Sequence, residues 1–114
     1  MTLPEEGCLL RIFIGESDRH GHTLLYEWIV RQAREQGLAG ATVLRGIMGY
    51  GANSNVIHTF KIERLSEDLP VVVEIVDTRE KLENFLSVID GEIPAGLATL
   101  EKAEVRFYRH IENV

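Results

Sequence analysis

The chain has 114 residues, 45% hydrophobic and 26% charged, which suits one compact globular domain over residues 1–114 and excludes a disordered chain. Its net charge of −6, with 12 scattered Lys and Arg, provides no basic patch and argues against nucleic acid or anionic lipid as a partner. No apolar run reaches the roughly 18 residues of a membrane span, Met1 to Gly7 lack the features of a leader, and Cys8 has no internal disulfide partner, so a reducing cytoplasm without membrane insertion is expected.

Cys8 to Ile14 reads as a strand, with Leu10, Ile12 and Ile14 alternating with Leu9, Arg11 and Phe13. Cys8 opens this apolar run and is expected to be a buried thiol. Gly15 to Gly21 is a polar loop. Thr23 to Gln36 reads as a helix with Leu25, Trp28, Ile29, Gln32 and Ala33 near one face, stopped by Gly37. Ala41 to Ile47 is a second strand. It runs into Arg45-Gly-Ile-Met-Gly-Tyr-Gly-Ala-Asn-Ser-Asn55, which holds far more turn chemistry than a tight reversal needs. Bare N–H groups in such a loop can form a nest for an anion.

Val56 to Glu63 reads as a third strand, with Val56, His58, Phe60 and Ile62 on one face. Pro70 lacks a donor and suits the start of a strand, so Val71 to Val76 reads as a central strand covered on both faces. A second helix follows, with Asp77 as N-cap, Glu80 at N3 and the stripe Leu82, Phe85, Leu86 and Ile89, ended by Asp90-Gly91. Ala103, Val105 and Phe107 alternate with Glu104, Arg106 and Tyr108 in a last extended segment within Leu97 to Arg109.

The strands Cys8 to Ile14, Ala41 to Ile47, Val71 to Val76 and the last segment, with the two helices, give the order β-α-β-β-α-β, an α+β ferredoxin-like arrangement with an antiparallel sheet and two helices on one face, to which Val56 to Glu63 adds a further strand. The strands carry apolar residues on both faces, so self-association through the open face is expected. Arg11, isolated among apolar neighbours, is expected to pair with an acid such as Glu74 on an adjacent strand. His58 allows two readings, a half-buried histidine bonded to backbone or a cleft residue near Asn53 and Asn55. His20-Gly-His22 could offer imidazoles to a metal, but no cysteine or carboxylate stands at convincing spacing; both are expected to be solvated loop histidines, and no metal site is assigned.

Gly49-Tyr-Gly51 after the second strand, Leu69-Pro70 before Val71 to Val76, and the late strand Leu97 to Arg109 resemble the P-II-like signalling superfamily. Leu38 to Gly51 and Ser66 to Asp77 look typical of its branch known as domain of unknown function family 190. The resemblance implies a cytoplasmic homotrimer with sheets facing inward and adenine nucleotides in clefts between subunits. It also implies a loop after the second strand that moves and docks on a membrane transporter or enzyme. Members of the branch are often encoded beside a fluoride-exporter gene.

By position, Gly49 and Gly51 match the glycines at the base of that loop, and Arg109 matches the second of two C-terminal arginines that reach phosphates. Phe107 stands at the first, with Arg106 adjacent. Ile93 to Gly96 match the phosphate-gripping glycine–lysine loop without its lysine, and Leu65 stands near the tyrosine that is uridylylated in some relatives. AMP or ADP is therefore favoured over ATP. The ligand-binding set is Gly49, Tyr50, Gly51, Asn53, His58, Arg106 and Arg109, with no catalytic residue. A ligand-free adaptor trimer is one alternative. An acyl-phosphate hydrolase is another, opposed by Glu16 and Asp18 beside Arg19 in the first loop.

Overall fold

The computed structural model describes residues 6–51 and 68–111. The anticipated strand Val56 to Glu63, with Asn53, His58 and Leu65, lies outside the described residues. The described elements run β1 (Glu6–Gly15), β2 (Arg19–His20), β3 (Thr23–Leu24), α1 (Leu25–Glu35), β4 (Thr42–Arg45), β5 (Pro70–Asp77), α2 (Arg79–Ile89), a 3-10 turn (Asp90–Glu92) and β6 (Leu97–Glu104). The main sheet has the order β4-β5-β1-β6, and every neighbouring pair is antiparallel. With α1 after β1 and α2 after β5, this is the ferredoxin-like α+β arrangement. The short β2–β3 ribbon inside the first loop is an addition that the polar sequence there does not signal.

The period-2 pattern of the strands sorts the sheet into two faces. Cys8, Leu10, Ile12 and Ile14 of β1 and Val71, Val73 and Ile75 of β5 are buried together with Leu25, Ile29 and Ala33 of α1 and Leu82, Phe85 and Ile89 of α2. Both helices thus cover the same face. Each large side chain in that cluster contributes about 1.5–3 kcal/mol by leaving water. The expected burial of Cys8 and the apolar stripe of α2 hold, although Leu86 is only partly buried.

Helix ends follow local chemistry. The first turn of α1 has no side-chain cap, and the Leu25 N–H donates instead to the Asp18 carbonyl at 2.7 Å. At its other end Gly37 takes φ +75°, Gly37 N–H donates to Arg34 O and Leu38 N–H to Ala33 O, the paired bonds of a Schellman motif. The cap of α2 is Thr78, which accepts from Lys81 N–H at 3.2 Å, and not Asp77 as the sequence suggested. Asp77 is still the last strand residue. It is fully buried and accepts from Thr78 N–H at 2.7 Å and Ala39 N–H at 2.9 Å.

The other sheet face is left uncovered by α1 and α2. Within one chain β5 is covered on the helix side: Val71, Val73 and Ile75 are buried, while Val72, Glu74 and Val76 are half-buried on the face expected to meet another copy. Cross-strand register places Leu44, Val72, Phe13 and Leu97 in one row across all four strands of this face. Leu44 and Leu97 are among the exposed large hydrophobics. The next row is polar: Thr42, Glu74, Arg11 and Thr99.

Candidate functional site

The apolar row leads to a cleft at one end of the open face, with a volume of about 390 Å³. Phe13 and Leu97 form its floor at the β1–β6 end, Gly49, Tyr50 and Gly51 supply one wall, and Ala95 and Gly96 supply another. The glycines are needed here. Gly96 has φ +154°, and a Cβ on it would lie 2.8 Å from the Phe13 carbonyl oxygen. Gly49 has φ +148° and would place a Cβ 3.2 Å from the Pro70 ring. These glycines therefore let the chain pack closely on itself at both walls.

Asp18 and Asp68 complete the rim, and among the described residues no Lys, Arg or His lines this cleft. Asp18 Oδ2 accepts from Gly15 N–H at 2.9 Å, and Asp68 Oδ1 accepts from Ser17 N–H and Oγ. Nearby, Arg45 is paired with Glu16. The rim is acidic and the floor apolar, so this cleft by itself accommodates the uncharged part of an amphiphilic ligand better than a phosphate chain.

A second cleft of about 560 Å³ opens at the opposite end of the same face. Its walls are Leu9, Glu74, Val76, Ala39 to Thr42, the end of β6 at Ala103 and Glu104, and the tail Val105 to Tyr108 that follows it. Along β1 the two clefts are separated by the interval from Phe13 to Leu9, roughly 13 Å of extended chain. The polar row borders the second cleft, with Thr42 and Glu74 among the residues that line it. Arg11 Nε donates to Glu74 Oε2 at 2.9 Å, as the sequence suggested, and its Nη1 also donates to Glu101. The Glu74 hydrogen bond is the main cause that raises the Arg11 pKa above the usual arginine value.

The residues assigned to a ligand from sequence are thus divided. Gly49, Tyr50 and Gly51 come together at the first cleft. Arg106 lines the second, its Nη1 2.6 Å from Glu104 Oε1. Arg109 lies just beyond that cleft, its guanidinium 4.5 Å above the Phe107 ring. Asn53 and His58 fall outside the described residues. Asp18, Asp68 and Tyr108 were not assigned. Asp68 carries no signal beyond its place before Leu69-Pro70, and Tyr108 reads as one member of an alternating strand.

His20, expected to be a solvated loop histidine, instead stacks on Trp28 with ring centroids 4.1 Å apart, and its Nε2 lies 3.6 Å from Glu92 Oε1. Among the described residues no group of three His, Cys, Asp or Glu is placed to hold a metal ion. No described helix is long and apolar enough to cross a membrane.

This sheet order and this pair of helices define a P-II-like fold. CPII of Thiomonas intermedia, a nitrogen regulatory PII-like protein, superimposes with a TM-score of 0.60 in its complex with ADP, AMP and bicarbonate, at 14% identity over 93% of this chain and 97% of CPII. Its complex with ADP and bicarbonate gives a TM-score of 0.63 at 15% identity, over 88% of each chain. Residues 7–105 match the family model described as DUF190, uncharacterized ACR, and the chain belongs to that family. A UPF0166 protein of Aquifex aeolicus is 45% identical over 97 residues, covering 85% of this chain and 90% of the relative.

Proposed function

We propose that this chain is a P-II-like regulatory protein that binds an adenine nucleotide between subunits of a homotrimer and, through the loop after β4, adjusts a transporter or enzyme. The observation that carries this reading is the division of one site into two halves on a single open face. Among the described residues, the glycine-walled cleft has an apolar floor and no cation, and Arg106 lines the cleft at the far end. Neither half suffices for a nucleotide. A head-to-tail contact between copies brings the tail of one to the glycine cleft of the next, and three such contacts close a ring. The exposed apolar row supplies the driving force for that contact. The presence of ADP and AMP in the CPII structures supports the choice of ligand. AMP or ADP is favoured over ATP because fewer phosphates need fewer cations, and Phe107 and Ile93 to Gly96 lack the arginine and lysine that the resemblance implies there.

The role is one of binding rather than catalysis, since no nucleophile and base are placed together at either cleft among the described residues. The protein acts in the cytoplasm. Calorimetric titration with AMP, ADP, ATP and adenosine tests the reading, together with Arg109→Ala. Removing that charge-assisted bond should weaken ADP on the order of ten- to a hundredfold and leave adenosine unchanged. Absence of any adenine nucleotide binding below millimolar would leave the ligand-free adaptor trimer as the reading.

A further inference from the structure

We propose that Tyr108 is a positioning residue that holds the cation-bearing tail in place for the phosphates; this rests on the reading of the site given above. Past Glu104 the chain leaves the β1–β6 ladder. Among the described residues, one hydrogen bond then ties residues 105–111 to the body of the fold: Tyr108 Oη donates to the Ala39 carbonyl at 2.9 Å. The other polar and ring contacts of the tail are local, Arg106 with Glu104 and Arg109 with Phe107. A tail held only by those would swing its guanidinium groups over a wide arc.

The anchor itself is rigid. Ala39 N–H donates at 2.9 Å to Asp77 Oδ2, and Asp77 is fully buried at the end of β5. Lys81 Nζ lies 3.5 Å from the same carboxylate and donates to Gly37 O at 2.9 Å. The loop of residues 37–39 is therefore fixed to a central strand and to the first turn of α2. Val105 packs at Gly7, where its Cγ2 lies 3.1 Å from the position a Cβ would take, and this sets where the tail departs. Between these two points the tail crosses the sheet end with Arg106 and Phe107, both exposed, at the edge of the second cleft. Arg109 follows directly after the anchored tyrosine. The Tyr108 hydroxyl thus acts through Arg109: it touches no phosphate and lowers the entropic cost of presenting one cation in a fixed position.

The substitution that isolates this role is Tyr108→Phe, which keeps the ring in the cleft and deletes the hydroxyl. Titration of ADP and of adenosine into the wild type, Tyr108→Phe, Arg109→Ala and the double variant separates the outcomes. Tyr108→Phe should weaken ADP on the order of three- to tenfold and leave adenosine affinity unchanged. In the Arg109→Ala background the same change should have no further effect on ADP, because the group being positioned is gone. A purely structural tyrosine would weaken both ligands equally or add its loss to that of Arg109→Ala, and either result overturns the proposal. So does full ADP affinity in Tyr108→Phe when Arg109→Ala has lost it, a result that leaves the nucleotide site standing. A wild type that binds no ADP overturns the site and this role together.

Discussion

Arg11 and Glu74 face each other across the β1–β5 ladder, Nε to Oε2 2.9 Å apart, in the polar row that borders the second cleft of the open face. Glu101 is bound to the same guanidinium from β6, so one cation holds two carboxylates. The group is partly solvated in a single copy and is screened there. Burial between copies would remove that screening and make the arginine essential. Arg11→Met should therefore leave the far-UV spectrum of the chain intact but weaken self-association on the order of tenfold or more. Sedimentation at several concentrations measures this; unchanged association would show that the polar row stays in water.

Two adjacent valines of β5 distinguish the faces. Val73 is fully buried under the helices, and Val72 is half-buried in the row with Leu44, Phe13 and Leu97. Val73→Asp should unfold the protein, since it buries an unpaired charge in the core. Val72→Asp should spare the fold and release monomers. Circular dichroism with light scattering reads both effects. Folded oligomers in Val72→Asp, or a stable monomer in the unaltered chain, would mean that the open face is not the contact.

Much of this fold can be read from the sequence because period-2 and period-3.6 patterns record burial directly. The alternation in β1, the start of β5 at Pro70 and the stripe of α2 are of that kind. The sequence reading missed what depends on three-dimensional approach. Asp77 and Thr78 are both good caps, and the choice between them depends on Ala39 N–H, distant in sequence, claiming the aspartate. The stack of His20 on Trp28 requires the β2–β3 ribbon to turn back over α1, and polar composition does not encode it. The glycines of the first cleft were legible as turn residues needing special φ. The division of the site was not, because it depends on strand order placing Gly49 and Arg106 at opposite ends of one face.

Phe85 anchors α2 to the sheet and is 1% exposed, between Leu82 and Ile89 on the same stripe. Phe85→Ala should cost about 3–5 kcal/mol in a denaturant melt, through lost transfer energy and the cavity left behind. A loss below about 1 kcal/mol would place this face in solvent and make it available to a partner helix.

Two glycines of the first cleft should behave in opposite ways. A Cβ on Gly96 would lie 2.8 Å from the Phe13 carbonyl oxygen, and its φ of +154° is one that L residues rarely adopt. Gly96→Ala must therefore move the backbone between the 3-10 turn and β6, at a cost of about 1–3 kcal/mol, with a lower melting temperature. Gly51 has no described residue within 4 Å of its Cβ position and lines the cleft. Gly51→Val should melt like the unaltered protein while its side chain fills the space a nucleotide would take, so that ADP binding falls without loss of fold. Thermal melts run beside ADP titrations test both. A stable Gly96→Ala would show that the wall can yield. Full ADP affinity in a well-folded Gly51→Val would move the ligand away from the glycine wall.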